Sequence, residues 1–563
     1  MGVSRREAMA GAVWAGAGAA AAAPQGLFQH GVASGDPRAD RVIVWTRVTA
    51  PAAVAAIPVI VEVAADAAFA SVVARRDAVA SSARDWTVKV DVTGLAPGTA
   101  YHYRFRVGDE RSPVGRTKTT PAGPVERIRL AVASCANHAQ GYFNVYAAIA
   151  QTPGFDAVVH LGDYLYEYGP TGYAGADTAV AGREHAPPRA TVSLADYRTR
   201  HAQYKRDPAA QALHAAYPMI AIWDDHEIAN NAWTHGAEAH RAADGDYAAR
   251  RAAALKAYHE WMPVRAPADG APKAHRFKTV RFGDLAALHV LETRLAARHR
   301  PFEFTDIAGR VASAEDAARF LRDDLGDPAR EKLGAAQLAR LEAAMGAARK
   351  AGVAWTLLAN PTLMAPVRAP DVAPYLDATA RAQLAAGWRG GAGFLAAADH
   401  GLPLAMDAWD GYPAERERLY GAIRRAGVEG ALVLTGDTHA WWANTLADAS
   451  GAPVGVELAT ASVTATSAFS PANLGARADD FALLVNRDNP AVRYVSGATH
   501  GYIDLTLTRD RADAVFRAVE TIARPAAHTF RQAAFRVTRG NGRLSLHSRA
   551  GLGLKEWVLF RRA

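Results

Sequence analysis

Beyond residue 126 the chain alternates apolar, strand-like runs with segments of helical composition, and this pattern constrains the fold more than any other feature. Three apolar runs come first, at Ile128–Ala133, Ala157–Leu161 and Tyr217–Trp223, with helices expected near Val145 and across Leu194–Arg206. Further strands are expected at Ala286–Leu291, Ala354–Leu358, Ala431–Leu434, Val456–Ala459, Tyr502–Thr506 and Leu544–Leu546, and further helices at Ala335–Lys350 and Glu415–Ala426. Strands that alternate with helices are typical of layered α/β domains. The pattern therefore predicts a layered α/β core over residues 126–535, followed by a C-terminal segment over 536–563.

Residues 25–120 have a different pattern. Short alternating runs recur between turn-rich pieces, at Arg41–Trp45, Pro58–Glu62, Trp86–Asp91 and Tyr101–Arg106. Short strands separated by turn signals at this spacing are typical of a small β-sandwich. The turn-rich stretch Thr119–Pro124 is the expected linker to the α/β core.

The first 24 residues have the order of a twin-arginine signal peptide. Arg5 and Arg6 precede a weakly apolar run that ends in small residues at Ala19–Ala23. The run is shorter and less apolar than the roughly 20 residues that a membrane-spanning helix requires. We therefore expect cleavage near Ala23, export by the twin-arginine machinery to the periplasm or the extracellular space, and no stable membrane span. The alternative interpretation is an alanine-rich terminus in which the two arginines occur by chance.

Composition excludes several classes of protein. Half of the 563 residues are hydrophobic, so the chain can bury at least one large core and is not a disordered chain. The formal net charge of +8 does not indicate a nucleic-acid-binding role, because basic residues are interspersed with acids such as Asp323, Glu331 and Glu342. The sole cysteine, Cys135, has no partner in the chain for a disulfide, so its role is packing or chemistry.

Four apolar runs of the predicted core end in residues that bind metals or transfer protons. These endings are Ser134–Asn137, Gly162–Tyr166, Asp224–Glu227 and Gly436–His439. Ligand sites of layered α/β folds gather at the carboxyl ends of the strands, so four such endings on one edge would form a single site. Each residue also has a structural explanation when it is taken singly: Cys135 as core packing, for example.

The side chains at these endings suit a polynuclear metal site. Carboxylates can bridge two cations, imidazole binds transition metals, and thiolate and phenolate favour a highly charged ion such as ferric iron. Two or three clustered cations would neutralise ester oxygens, lower the pKa of a bound water and stabilise charge on a leaving oxygen. The residue types therefore predict a metal-dependent phosphoesterase.

At these residues the chain resembles the PhoD-type alkaline phosphatase and phosphodiesterase family, which belongs to the calcineurin-like metallophosphatase superfamily. The resemblance spans nearly the whole mature chain. Its motifs are Phe28–Pro37, Val44–Arg47, Ser134–Cys135, Gly162–Tyr168, Trp223–Asn231, Glu260–Arg265, Asp407–Pro413 and Leu434–His439. The resemblance implies a calcineurin-like α/β core with a fibronectin type III-like amino-terminal sandwich, and it implies ferric iron and calcium, with two calcium ions expected.

The resemblance also implies which residues bind the metals. Cys135, Asp163, Tyr166 and His439 would surround the iron, while Asp163, Asp225 and Asp437 would face calcium. Asn231 is a further oxygen ligand in this interpretation, and Asn360 is a candidate for the role of a mid-sequence histidine used elsewhere in the superfamily. The assignment of ligands to individual ions stays open.

The chain departs from the family pattern at two places. Glu292 stands where an aspartate is expected, and Asn360 is followed by Pro361 where a glutamine is expected. Both positions lie outside the four strand endings, so they bear on the substrate pocket and on Asn360 rather than on the type of reaction.

The expected reaction is hydrolysis of a phosphate monoester or diester by a metal-bound hydroxide. The expected catalytic residues are Asp163 and His226, with His226 donating either to a phosphoryl oxygen or to the leaving alkoxide. A phospholipase D-like phosphodiesterase on the same scaffold is the nearest alternative. An exported binding protein with structural calcium is a second alternative, and the presence of His226 and His439 argues against it.

Overall fold

The computed structural model describes residues 26–50, 54–171, 173, 179–267, 277–470 and 477–549. The predicted signal segment 1–24 lies outside these residues, and so do positions 550–563 of the predicted C-terminal segment. Among the described residues, no helix combines the length and the apolar character needed to cross a membrane. The strands of the described chain form three sheets, of ten, seven and five strands.

The amino-terminal segment forms two antiparallel layers around one apolar core. Its strands β1 to β8 are Val32–Gly35, Arg41–Arg47, Ala56–Ala64, Val72–Ser81, Thr87–Thr93, Ala100–Val107, Glu110–Arg111 and Gly115–Lys118. Strands β3, β4, β6, β7 and β8 make up the five-stranded sheet. Strands β1, β2 and β5 supply the other side of the core, where Val44 and Val92 share a cluster with Val61 and Phe105.

The strands of the following segment belong to two larger sheets. In chain order, β9 to β22 are Arg127–Ala133, Ala157–His160, Met219–Ala221, Lys278–Phe282, Ala286–Val290, Trp355–Ala359, Ala431–Thr435, Trp441–Ala447, Pro453–Ala459, Val492–Ser496, Gly501–Thr508, Arg511–Val519, Thr529–Gly540 and Arg543–Ser548. The ten-stranded sheet has the order β22-β21-β20-β19-β9-β10-β11-β1-β2-β5. The seven-stranded sheet has the order β12-β13-β14-β15-β17-β16-β18.

The ten-stranded sheet joins the two segments of the chain through backbone pairing. Strand β1 pairs in parallel with β11, with Gly35 opposite Met219, and β2 and β5 continue the sheet beyond it. The expected linker at Thr119–Pro124 thus separates two stretches of sequence whose strands share one sheet. We call strands β1, β2 and β5 the amino-terminal layer. This layer is therefore anchored by main-chain pairing as well as by side-chain packing.

Helices cover the outer faces of the two large sheets. Helices α1 to α11 are Asn144–Gln151, Leu194–Arg206, Pro208–Ala216, Tyr247–Trp261, Phe304–Ile307, Ala314–Arg319, Ala335–Lys350, Ala378–Gly387, Gly391–His400, Pro413–Arg425 and Ala478–Asp488. Helices α1 to α4 pack on the ten-stranded sheet, and α7 and α10 pack on the seven-stranded sheet. The sheets face each other across a third cluster that includes Leu130, Val159, Leu357 and Leu434. This part of the chain is a four-layered α/β structure.

The predicted elements of the α/β core correspond closely to the observed ones. The bounds predicted for α2, Leu194–Arg206, and for α7, Ala335–Lys350, are confirmed. Helix α2 begins sharply because the Ser193 side chain accepts from the Asp196 amide in a capping box. Strands β4, β12, β16 and β18 are not among the predicted strands. Strand β4 is an edge strand, and its exposed Val73 and Val79 hide the usual apolar alternation.

The contact between β1 and β11 provides a test of this architecture. A Cβ atom at Gly35 would lie 2.3 Å from the Pro263 carbonyl oxygen and 2.6 Å from that of Met219. Since both atoms belong to the backbone, Gly35→Ala should destabilise the chain by about 1–3 kcal/mol, the usual cost of overpacking. Calorimetric unfolding measures this effect. The matched control Gly346→Ala in α7 meets no atom within 4 Å and should not lower the unfolding midpoint; equal midpoints for both variants would contradict the close approach.

Candidate metal centre

The four strand endings meet where the two large sheets face each other. Strands β9, β10 and β11 are parallel neighbours, so their carboxyl ends lie side by side at one edge. Strand β15 delivers the fourth ending from the facing sheet. The approach between the sheets is close, because a Cβ atom at Gly436 would lie 2.5 Å from the Ser134 hydroxyl oxygen. Only glycine fits at position 436 without a shift of its neighbours.

Left-handed backbone conformations concentrate at the site. Ten non-glycine residues with positive φ are found in the described chain, and five of them are predicted metal ligands, namely Cys135, Asp163, Asn231, Asp437 and His439. Such conformations are unfavourable for residues with a Cβ atom and persist where surrounding structure holds them. The backbone at this edge is thus shaped to direct side chains into one place.

Three groups of side chains come close enough to hold metal ions. Within each group the ligand atoms lie within 4.8 Å of one another. The groups are Cys135, Asp163 and His439; Asp163, Asp225 and His226; and Asp224, Asp225 and Asp437. Asp163 and Asp225 each belong to two groups, so the three groups form one continuous cluster. The structure therefore brings together all of the carboxylate, thiol and imidazole residues predicted from the strand endings.

Tyr166 lies inside this cluster. Its hydroxyl is 3.2 Å from Asp163 Oδ2 and 2.9 Å from His439 Nε2, and its ring stacks on His226 with 4.1 Å between centroids. Tyr173, which the sequence analysis did not single out, contacts the other nitrogen of His439, with 3.3 Å between its hydroxyl and Nδ1. The phenol of Tyr166 is thus a neighbour of two predicted metal ligands.

His226 is held by a buried carboxylate on its other side. Glu167 Oε2 lies 2.8 Å from His226 Nδ1, and the same carboxylate accepts from the Asn230 amide at 2.6 Å. Burial alone lowers the pKa of His226, but the charges of Asp225, Asp163 and Glu167 outweigh burial and raise this pKa well above its ordinary value. Glu167 therefore fixes the ring, and it adds to the effect of Asp225 and Asp163 on the charge of the ring.

Glu227 fixes the loops that carry the cluster. Its buried carboxylate accepts from the backbone amides of Asp163 at 3.0 Å, Tyr164 at 2.7 Å and Asp224 at 2.9 Å. Burial raises the pKa of Glu227 to about 7, although these three hydrogen bonds favour the ionised form. One side chain thereby joins the ending of β10 to the ending of β11.

Arg294 is the main cation among the acidic residues of the cluster. This fully buried guanidinium forms an ion pair with Asp224. It also lies 3.0 Å from Asp437 Oδ1 and 2.6 Å from Asp407 Oδ2. The Glu292 carboxylate accepts from the Arg294 amide at 2.8 Å and from the Trp223 indole at 3.0 Å. Glu292, which departs from the family pattern, therefore shapes the turn that presents Arg294.

The two asparagine candidates have different surroundings. The backbone amide of Asn231 donates to Asp225 Oδ2 at 2.6 Å, and the Asn231 side chain donates to Glu238 at 2.9 Å. Asn231 therefore lies beside the cluster. Asn360 instead accepts from the Trp409 indole at 2.9 Å and donates to the Thr362 carbonyl at 2.5 Å. Both polar ends of the Asn360 side chain therefore have protein partners.

The electrostatics of the cluster suit bound cations. Burial raises the pKa of Asp163 well above its ordinary value; the charge of His226 opposes this shift and that of Asp225 adds to it. Burial likewise raises the pKa of Asp437. Burial also raises the pKa values of the Cys135 thiol and the Tyr166 phenol, while it lowers the pKa of His439 to about 4. Buried acids this close together cannot all ionise without cations, and a neutral imidazole is the form that binds metal. The donor set therefore fits a metal centre.

Comparison with known proteins agrees with this geometry. Residues 130–516 match the model of the PhoD-like phosphatase family, and residues 13–121 match that of the PhoD-like phosphatase N-terminal domain. The chain belongs to the PhoD-like phosphatase family. It is 33% identical over 523 residues to alkaline phosphatase D of Bacillus subtilis (strain 168), covering 90% of this chain and 80% of that protein. A solved structure titled "Structure of PhoD" superposes with a TM-score of 0.76 at 29% identity, over 97% of this chain and all of the other.

Family membership makes this PhoD-like chain a hydrolase of the phosphatase class, with a phosphate ester as its substrate. The predicted family is thereby confirmed. The homology and the three side-chain groups together indicate metal dependence.

Several residues of the site have no role assigned from the sequence. Glu167 and Glu227 lie inside the motifs Gly162–Tyr168 and Trp223–Asn231, and Arg294 lies two positions after Glu292. The sequence signal for Glu167 and Glu227 is that each lies within two positions of a predicted metal ligand. Their roles depend on partners such as the Asp163 amide, 64 positions away from Glu227, which the motifs do not reveal.

Glu227 is the basis of a prediction on loop order. Glu227→Ala leaves three buried amides without an acceptor, and each unsatisfied buried group costs about 1–3 kcal/mol. We therefore expect a lower unfolding midpoint together with lower metal content, measured by calorimetry and elemental analysis. The control Glu342→Ala removes an exposed acid that pairs with Arg425 and should leave metal content unchanged. Unaltered metal content in Glu227→Ala would show that Glu227 does not order the loops.

Proposed function

We propose that this chain is an exported, metal-dependent phosphoesterase that hydrolyses phosphate monoesters, diesters or both outside the cytoplasm. The observation that carries this proposal is the convergence of Cys135, Asp163, Asp225, Asp437 and His439 in one buried cluster. Membership of a phosphatase family supports the reaction type. The paired arginines and the small-residue run of the first 24 residues support export by the twin-arginine pathway to the periplasm or beyond.

In this proposal the cluster holds ferric iron and calcium. Cys135, Asp163, Tyr166 and His439 bind the iron, because thiolate, phenolate and imidazole suit a transition metal better than calcium. Asp163, Asp225 and Asp437 supply the oxygen ligands that calcium prefers, and Asn231 lies beside Asp225 as a further oxygen donor. The contact of Tyr166 with both Asp163 and His439 supports its place on the iron side.

Cations bound here would neutralise the phosphate oxygens and lower the pKa of a coordinated water. The protein residues provide the positioning. Arg294 holds Asp224 and Asp437 in place by direct ion pairs, and Glu227 holds the backbone of Asp163. These contacts preorganise the carboxylates before substrate arrives, which is the main requirement of phosphoryl transfer.

His226 is the proposed proton donor. Glu167 occupies its Nδ1 atom, which leaves Nε2 as the atom that donates to a phosphoryl oxygen or to the leaving alkoxide. Stacking against Tyr166 at 4.1 Å fixes the plane of the ring. The raised pKa of His226 keeps the proton on the ring in the protein alone.

Asp163 is the residue on which the proposed mechanism depends, since it belongs to two of the three groups. We expect Asp163→Ala to lose metal and to lose turnover of a chromogenic monoester and of a chromogenic diester together. Metal content is measured by elemental analysis and turnover by absorbance. The control Asp323→Ala removes an exposed carboxylate that pairs with Arg322 and should keep both properties. Full metal content with full turnover in Asp163→Ala would refute the mechanism.

The iron assignment has a spectroscopic consequence. Phenolate or thiolate bound to ferric iron gives a visible charge-transfer band, so freshly exported protein should be coloured and contain iron. Tyr166→Phe should shift or bleach this band while iron remains bound through Cys135, Asp163 and His439. Tyr420→Phe is the matched control, because Tyr420 is buried in α10 and its hydroxyl has no hydrogen-bond partner among the described residues. A colourless, fully active, iron-free protein would remove Tyr166 and Cys135 from the ligand set.

A further inference from the structure

A cavity lies between helix α2 and the amino-terminal layer. It has a volume of about 720 Å³, which is in the range of small-molecule sites. Its walls include His30, Arg47, His138, Arg183, Arg198 and Arg206, and we call it the arginine cleft. Of the described residues that line the cleft, none belongs to the three groups of the metal centre.

The lining of the arginine cleft is positively charged. Four arginines line it together with two acids, Asp85 and Asp207, and a third acid, Glu260, pairs with Arg198, which leaves an excess of one positive charge. The two histidines add no charge at neutral pH, because burial and neighbouring arginines lower the pKa of His30 and of His138 to about 3. A concave surface with an excess of positive charge attracts anions.

The arginines of the cleft are held in place by the protein. Arg47 pairs with Asp85 at 3.0 Å, Arg183 with Asp207 at 3.0 Å and Arg198 with Glu260 at 2.7 Å. These pairs orient the guanidinium groups before a ligand binds. Arg206 is different, because it is exposed and contacts only the Gln29 side chain, at 3.3 Å, among the interactions of the described residues.

Two buried polar groups of the cleft lack partners. In the part of the chain that the structure describes, Arg183 Nη2 and His30 Nδ1 have no hydrogen-bond partner, although their residues are 7% and 2% exposed. Buried polar groups of folded proteins are nearly always satisfied, so an orphaned pair in one cavity wall calls for an explanation. Both atoms are shielded from solvent, and the Arg183 guanidinium packs over the rings of Tyr142 and Phe143, so a ligand in the cleft reaches these atoms only if the wall shifts.

We propose that the arginine cleft binds an organic anion that carries phosphate. The cavity is larger than a free phosphate ion needs, and Arg206 is the lining arginine that no carboxylate of the described residues neutralises. Guanidinium groups bind phosphate by paired, charge-assisted hydrogen bonds, which favours phosphate over a neutral ligand. Such a molecule is either the distal part of a polymeric phosphodiester substrate or a separate phosphorylated ligand.

The cleft is connected to the metal centre through short contacts. Arg183 donates to the His138 carbonyl at 3.0 Å, three residues after Cys135. On the opposite side of α2, Arg200 donates to the carbonyl oxygens of Tyr166 and, at 2.9 Å, of Tyr168. An anion in the cleft would therefore contact the same helix that supports the Tyr166 loop.

The test of binding uses fructose 1,6-bisphosphate as the probe and the full-length Asp163→Ala protein, which is expected to be inactive. Titration calorimetry at moderate salt should show saturable binding that weakens as salt is raised, because salt screens exposed charges. His226→Gln is measured in parallel, so that a folding defect of one variant does not decide the result. Fructose, which has no charge, should not bind. Absence of bisphosphate binding in both folded variants would overturn the proposal.

Two further substitutions locate the site. Arg206→Gln should weaken binding by about tenfold, because one charge-assisted contact is lost. Thr199→Trp places an indole on the exposed face of α2 that lines the cleft and should block binding without a change of charge. Arg340→Gln, an exposed arginine on α7, is the control for the loss of one positive charge. Binding unaffected by both cleft substitutions would show an adventitious site elsewhere and refute the proposal.

The source of the anion is distinguished by kinetics of the active enzyme, and this arm alone depends on the proposed function. If the cleft holds the distal part of a polymeric substrate, Thr199→Trp raises KM for an oligomeric phosphodiester and not for a chromogenic diester. If the ligand is a separate molecule, both KM values stay unchanged while bisphosphate binding is still lost. Since the calorimetric test requires no turnover, its failure is separable from failure of metal-dependent hydrolysis.

Discussion

The burial of several acids at one edge of the α/β core is the constraint on which the rest of the structure depends. Four of these acids are close neighbours in a region of low dielectric: Asp163, Asp224, Asp225 and Asp437. An uncompensated charge in such a region costs on the order of several kcal/mol. Arg294 offsets part of this charge by contacting three of them. Burial, together with the neighbouring acids, raises the pKa values of Asp163 and Asp437, and this makes the cluster suited to bound cations.

The backbone around the cluster adopts unfavourable conformations, and contacts with the surrounding structure stabilise them. Left-handed φ angles at Cys135, Asp163 and Asp437 cost free energy, and Gly436 is needed for the sheets to meet. These costs are offset by the three amide contacts of Glu227 and by strands β10 and β15, which are buried on both faces, as is the carboxyl half of β9. The site is rigid because its loops are short continuations of buried strands.

The amino-terminal layer is part of this framework. Its strand β1 extends the ten-stranded sheet from β11, the strand whose ending carries Asp225 and His226, so the layer supports the candidate metal centre through one continuous sheet. Its contact with α2 also creates the arginine cleft. A segment that the sequence pattern separates from the core thereby helps to position the site and adds a second charged surface to the molecule.

The sequence by itself determined the layered α/β pattern, the bounds of α2 and α7, and the residue types of the metal centre. These features are local, because apolar runs, capping residues such as Ser193 and the residues that follow each strand can be identified within a few positions of one another. Only the tertiary structure decided the pairing of Gly35 with Met219, the ion pairs of Arg294 with the acids and the hydrogen bond from Trp409 to the Asn360 side chain. Each of these depends on a partner 49 or more positions away, and long-range partners follow from the packing of whole sheets, which no local pattern encodes.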